Sequence, residues 1–154
     1  MKVLFVCTGN ICRSPTGEAV LRKLARDAGV AVEVDSAGIS AYHEGEGADR
    51  RSSQAAALRG YDLSGHRSRA LRPGDFQEYD LLLAMDRSHY EFMREEAPAS
   101  ERSKVRFFLP EYAPEAGVRD VPDPYYGGAN GFETVLDLLE TGCRRLLEEL
   151  SAKR

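Results

Sequence analysis

Only three cysteines occur in the 154 residues, an odd number that cannot close into a complete disulfide framework. With no secretory signal pattern at the start, this usage predicts a protein of the reducing cytoplasm. Long apolar runs are also missing; none approaches the roughly 20 residues needed to span a bilayer, so no membrane association is expected. Nor is there an excess of positive charge. A formal net charge of -4 and a pI near 5.5 give no general reason to bind nucleic acid or an anionic membrane, so any phosphate-seeking surface has to be local. No linker or repeat interrupts the chain. Its length predicts a single domain over residues 1–154 with a core that needs no staples.

What is present is an alternation of strand-like and helix-like segments. Val3 to Val6 is a continuous apolar run, as in a strand buried on both faces. Pro15 to Ala28 carries Leu21, Leu24, Ala25 and Ala28 on one helical face, and Val32 to Val34 reads as a second strand ending near Asp35-Ser36-Ala37-Gly38. A helix over Asp49 to Arg59 stops at Gly60. A strand lies within Tyr79 to Met85, a short helix over Ser88 to Glu96, and a fourth strand over Val105 to Phe108 before Pro110. In the last segment Phe132, Val135, Leu136, Leu139, Cys143, Leu146, Leu147 and Leu150 form a stripe at helical spacing, which reads as core. Alternation of this kind predicts an α/β fold: one open sheet of about four parallel strands with helices on both faces. Its strand-following loops should meet at one edge.

The first of those loops, Cys7 to Ser14, reads CTGNICRS. Gly9 and Asn10 are the residue types that most readily accept positive φ, so the turn can point backbone N–H groups inward. Ser14 suits a helix N-cap and Pro15 the first helical position, which aims a helix amino terminus at the same spot. Arg13 adds a planar fork matched to two phosphate oxygens, and such surroundings favour a thiolate. Cys7 is thus a candidate nucleophile, set against the plain reading of a small buried hydrophobe. A metal site would need further Cys or His at ligand spacing, and a Walker-type loop would need Gly-Lys-Ser/Thr where Cys12-Arg13-Ser14 stands.

A thiolate attacking phosphorus needs an acid for the leaving oxygen. His43, His66 and His89 are available, but the stretch Val121-Pro122-Asp123-Pro124-Tyr125-Tyr126-Gly127 is more suggestive. Prolines on both sides stiffen the presentation of Asp123, and Tyr125 and Tyr126 suit the wall of a cleft for an aromatic ring. Two readings remain for each: Asp-Pro also opens ordinary turns, and paired tyrosines also simply pack.

CTGNICRSP near the start, DSAG after the second strand, LAMD at 83 to 86 and DPYYG at 123 to 127 together resemble the low-molecular-weight protein tyrosine phosphatases. The resemblance runs nearly end to end and in order. It implies hydrolysis of phosphotyrosine and aryl phosphate monoesters through a phosphocysteine: Cys7 attacks, Arg13 and the loop Thr8, Gly9, Asn10, Ile11, Cys12, Arg13, Ser14 hold the phosphoryl oxygens, and Asp123 protonates the leaving phenolate and then activates water. No metal or other cofactor is implied. The partners implied are a phosphotyrosine-containing protein or peptide, with phosphate as product and competitive ligand. Ser14 matches a residue that stabilises the thiolate; Asn10, Ser36 and His66 match a supporting hydrogen-bond network. Asp86 matches a position that orders the site through Arg13, and it reads equally well as a helix cap. Tyr42 aligns with a cleft residue that helps select substrate, beside Tyr125 and Tyr126. Cys12 matches a partner able to form a reversible disulfide with Cys7 under oxidation.

The chain departs from the pattern at Asp49-Arg50-Arg51, where many relatives have Asp-Pro-Arg, a change expected to touch the start of a helix and not the chemistry. Arsenate reductases of this scaffold need further cysteines in mid-chain, and Leu81 to Glu96 has none. Arginine phosphatases typically carry threonine where this loop has Ile11, which favours tyrosine. A phosphotyrosine-binding module without turnover would lack the nucleophile or the acid, and this chain has both Cys7 and Asp123.

Overall fold

The computed structural model describes residues 1–152 apart from Gly127 and Ala129, with Tyr126 by its backbone alone. Its sheet consists of β1 (Lys2–Cys7), β2 (Glu33–Gly38), β3 (Leu81–Ala84) and β4 (Val105–Phe107), all parallel in the order β2-β1-β3-β4. Helices α1 (Arg13–Ala28), α2 (Arg50–Leu58), α3 (Asp75–Glu78), α4 (Arg87–Glu96), α5 (Phe108–Tyr112) and α6 (Gly131–Ala152) surround it.

The unbroken apolar run of β1 follows from burial on two sides. Val3 and Phe5 join a core with α1, α2, α5 and α6, while Leu4 and Val6 join a second with Phe76, Tyr79, Met93 and Ala97. The chain leaves β1 for β2 on one side and then crosses from β2 to β3 on the other side of β1, from where it continues outward to β4. The carboxyl end of β1 is therefore a topological switch point, the place where open α/β sheets leave a crevice for ligands.

Several elements differ from the sequence expectation. β2 extends through Gly38 because its polar end is satisfied by tertiary hydrogen bonds, Ser36 among them. On α1 the buried face runs through Gly17, Val20, Leu21 and Ala25. Ala28 is exposed, since the chain turns through left-handed Gly29 (φ 69°) and Val30 takes the buried position. Gly17 lets the Phe5 ring lie against the helix; a Cβ there would stand 2.7 Å from the ring. Phe108 opens α5 instead of ending β4, with Pro110 in a first turn where its missing N–H does no harm. Neither α3 nor α5 is long enough to announce itself by periodicity. The α6 stripe is buried as expected except for Leu147, which is partly exposed. Among the described residues no helix is long and apolar enough to cross a membrane.

Candidate active site

Cys7 ends β1 in register with Gly38, and residues 8–12 form the loop before α1 begins at Arg13. The turn is made at Asn10, the one described non-glycine residue with positive φ (58°). Gly9 does not share that conformation. Its lack of a side chain instead admits the His43 ring, whose Cδ2 would lie 2.8 Å from a Cβ. Asn10 is fully buried and bonded on every side: its amide donates to Ser14 Oγ (2.8 Å) and Ser36 Oγ (3.0 Å), and its Oδ1 accepts from the Arg69 N–H (3.0 Å). Its backbone oxygen accepts from His66 Nε2 (2.7 Å) and Ser68 Oγ (2.6 Å). Ser36 in turn donates to Glu18 (2.6 Å). A left-handed residue held by this many partners is a turn whose strain is overdetermined by its surroundings.

Ser14 does not cap α1 as its type suggested. Cys12 occupies the capping position without a side-chain bond, which leaves the helix's first N–H groups to the loop they enclose. Ser14 Oγ accepts from the Asn10 amide, so its single proton has two acceptors within reach, Cys7 Sγ at 3.0 Å and the Ala37 carbonyl at 3.4 Å, the sulfur being the nearer. Burial pushes the Cys12 thiol up to about 12, so it stays protonated. All three cysteines are free.

Arg13 is almost fully buried and aimed by two acceptors. Its Nη1 donates to Asp86 Oδ2 (2.8 Å) and to the carbonyl of Val121 (2.9 Å), and its Nη2 lies 3.3 Å from Thr8 Oγ1 and 3.7 Å from Asp123 Oδ2. Asp86 Oδ2 takes the Arg13 bond while its other oxygen caps α4 by accepting from the N–H of His89 (3.2 Å). Burial would raise its pKa, but hydrogen bonds from Ser88 and Arg13 outweigh that and hold it below the usual carboxylate value. Asp123 follows on a half-exposed loop, where it accepts from the N–H of Tyr125 (3.0 Å).

These groups line one cleft of about 380 Å³ whose walls include Cys7, Thr8, Gly9, Ile11, Cys12, Arg13, Asp123 and Tyr125. Tyr42 also lines it but is 84% exposed, which places it at the mouth. The side chain of Tyr126 lies outside the described residues. Ser14, Ser36, His66 and Asp86 stand behind the walls. Sequence reasoning named His43 only as an available acid, and the structure places it on the cleft wall; it missed Ser40 there, and Ser68, Arg69 and Glu18 behind Asn10. It also missed what Arg51 does: the guanidinium pairs with Asp49, sits over the rings of Tyr125 (5.3 Å) and Phe132 (4.9 Å), and donates to the Tyr125 carbonyl (3.3 Å). It braces the Asp123 loop against α2. The one local signal was the Asp49-x-Arg51 pattern at a helix start; its tertiary partners had none. Among the described residues no group of three or more His, Cys, Asp or Glu is arranged to hold a metal.

Comparison with known proteins agrees with this geometry. A family model for low molecular weight phosphotyrosine protein phosphatase matches residues 2–154. The low molecular weight protein-tyrosine-phosphatase of Streptomyces coelicolor is 47% identical over 151 residues, covering 95% of this chain and 91% of that protein. Among solved structures, a protein tyrosine phosphatase from Entamoeba histolytica has a TM-score of 0.95 at 38% identity, covering 99% of this chain and 98% of that one. The YwlE arginine phosphatase of Bacillus subtilis, solved as a C7S mutant with a phosphorylated active-site serine, has a TM-score of 0.89 at 32% identity, covering 100% and 98%. With the loop, the aimed arginine and the facing carboxylate in one cleft, the chain belongs to the low molecular weight phosphotyrosine protein phosphatase family.

Proposed function

We propose that residues 1–154 act as one phosphatase domain that hydrolyses phosphotyrosine and aryl phosphate monoesters through a phosphocysteine on Cys7. The observation that carries this reading is the convergence of Cys7, the Arg13 guanidinium and the Asp123 carboxylate on a single cleft. In the first step the Cys7 thiolate, bonded by Ser14, attacks phosphorus while Asp123 gives its proton to the departing phenolate oxygen. Arg13, with Nη1 already committed to Asp86 and Val121, presents its remaining donors to the equatorial oxygens together with the loop amides. In the second step Asp123, now a carboxylate, takes a proton from water as the water oxygen attacks phosphorus. The S–P bond breaks, the thiolate returns and phosphate leaves. The phosphoserine in the C7S relative supports a phosphoryl group carried at this position.

Ile11 and Tyr125 on the cleft wall support a phenyl ring over a guanidinium as the leaving group's body. The shared cleft of Cys7 and Cys12 supports a protective disulfide between them, and three free buried cysteines support a cytoplasmic setting. Hydrolysis of para-nitrophenyl phosphate in a chelator-treated buffer tests the reading. The parent should turn over, Cys7→Ser should lose turnover while still binding inorganic phosphate, and acid quenching should trap phosphate on the parent protein alone. Substantial turnover by Cys7→Ser would remove Cys7 as nucleophile. Matched phosphotyrosine, phosphoserine and phosphoarginine peptides then rank the substrate classes.

A further inference from the structure

The His89 ring joins the start of α4 to the phosphate loop. It is fully buried. Nδ1 lies 3.1 Å from the backbone nitrogen of Asp86, which can only donate, so that ring nitrogen has to offer a lone pair. The opposite nitrogen, Nε2, is 2.8 Å from Thr8 Oγ1. Nδ1 also stands 3.3 Å from Asp86 Oδ1, a contact that would favour a proton there. A proton on Nδ1 would strip the Asp86 N–H of its acceptor, and a doubly protonated ring is opposed by burial, which pushes His89 down to about 4. The consistent arrangement is a neutral ring with its proton on Nε2, donating to Thr8. Arg13 Nη2, 3.3 Å away, can also only donate to the same oxygen. A hydroxyl has two lone pairs and one proton, so both acceptor directions of Thr8 are occupied by protein donors. Its proton is left to the remaining side, where Thr8 is exposed on the wall of the Cys7 cleft.

We propose that His89 is a positioning residue that, through its Nε2–H bond, makes the Thr8 hydroxyl a dedicated donor to a phosphoryl oxygen held above Cys7. The proposal rests on the phosphatase reading of the cleft. No bond is made or broken in it; the proton remains on Thr8 and adds one charge-assisted hydrogen bond to those of Arg13 and the loop amides.

Two measurements test it. Nitrogen-15 NMR of histidine-labelled parent protein, without ligand at neutral pH, should show His89 as a neutral ring protonated at Nε2; a proton on Nδ1 would overturn the proposal. Inorganic phosphate affinity is then compared in Thr8→Val, Thr8→Ser, His89→Asn and the Thr8→Val/His89→Asn double variant. A lost hydrogen bond to a charged group predicts binding weaker by about tenfold to a hundredfold in Thr8→Val, with Thr8→Ser close to the parent. His89→Asn should weaken binding in the parent and add nothing in the Thr8→Val background. Unchanged phosphate affinity in Thr8→Val, or losses that multiply in the double variant, would also overturn it. A parent that binds phosphate poorly and turns over no aryl phosphate would strike the phosphatase reading itself, whereas the ligand-free tautomer judges the His89 arrangement independently.

Discussion

Acidification should destabilise this protein through His89. Burial pushes the folded-state value down to about 4 against an ordinary 6.5. Between those values the unfolded chain binds a proton that the folded chain refuses, so stability is full above about pH 6.5 and is lost as pH falls toward 4. At about 1.4 kcal/mol per pH unit the complete gap is worth about 3 kcal/mol, and about 2 kcal/mol of it is gone by pH 5. Asp86, held below its ordinary value, has the same sign but acts only below about pH 4, outside this window. Urea unfolding at pH 8, 6.5 and 5, followed by circular dichroism and extrapolated linearly, is run on the parent and on His89→Asn, which keeps an acceptor for the Asp86 N–H. Contributions from other groups cancel in the difference. The parent's stability relative to the variant should fall by about 2 kcal/mol between pH 8 and pH 5. A difference that does not change with pH would refute the reasoning, because it would mean that folded His89 titrates like a solvated imidazole.

Asp123→Ala should slow aryl phosphates with poor leaving groups by about 10²- to 10⁴-fold and good ones much less; equal loss across a leaving-group series would dismiss Asp123 as proton donor. Cys12→Ser should keep most of the turnover but recover poorly with thiol after peroxide treatment, and recovery equal to the parent's would count against the Cys7–Cys12 disulfide. Gly142→Ala should lower stability by about 1–2 kcal/mol despite alanine's better helix propensity. Its Cβ would run into the Phe108 ring, which packs against Phe5 and Tyr112. A urea midpoint at or above the parent's would show that the ring has room to move.

How much of this was legible beforehand depended on the range of the interaction concerned. Periodicity located the apolar cores of all four strands and the stripe of α6, because burial on one or two faces imposes a pattern within a few residues. It missed the polar end of β2, whose Ser36 is buried through bonds to Asn10 and Glu18 far away in the chain. Ser14 was misread as a cap for the same reason: its hydroxyl has a better partner in Cys7 than in the helix it begins.

By itself the sequence singled out the Cys7–Ser14 loop, the arginine near its end and the carboxylate in the proline-flanked turn, since each lies in a contiguous motif. Only the tertiary structure decided what aims them. Arg13 is oriented by Asp86 and Val121, the Asp123 loop is braced by Arg51, and Thr8 is paired with His89, 81 positions along the chain. The Arg13–Asp86 and Thr8–His89 pairings depend on β1 and β3 lying side by side, with the loops after them meeting at the switch point. Hydrogen bonds between groups so distant leave no periodic trace along the chain, whereas burial does.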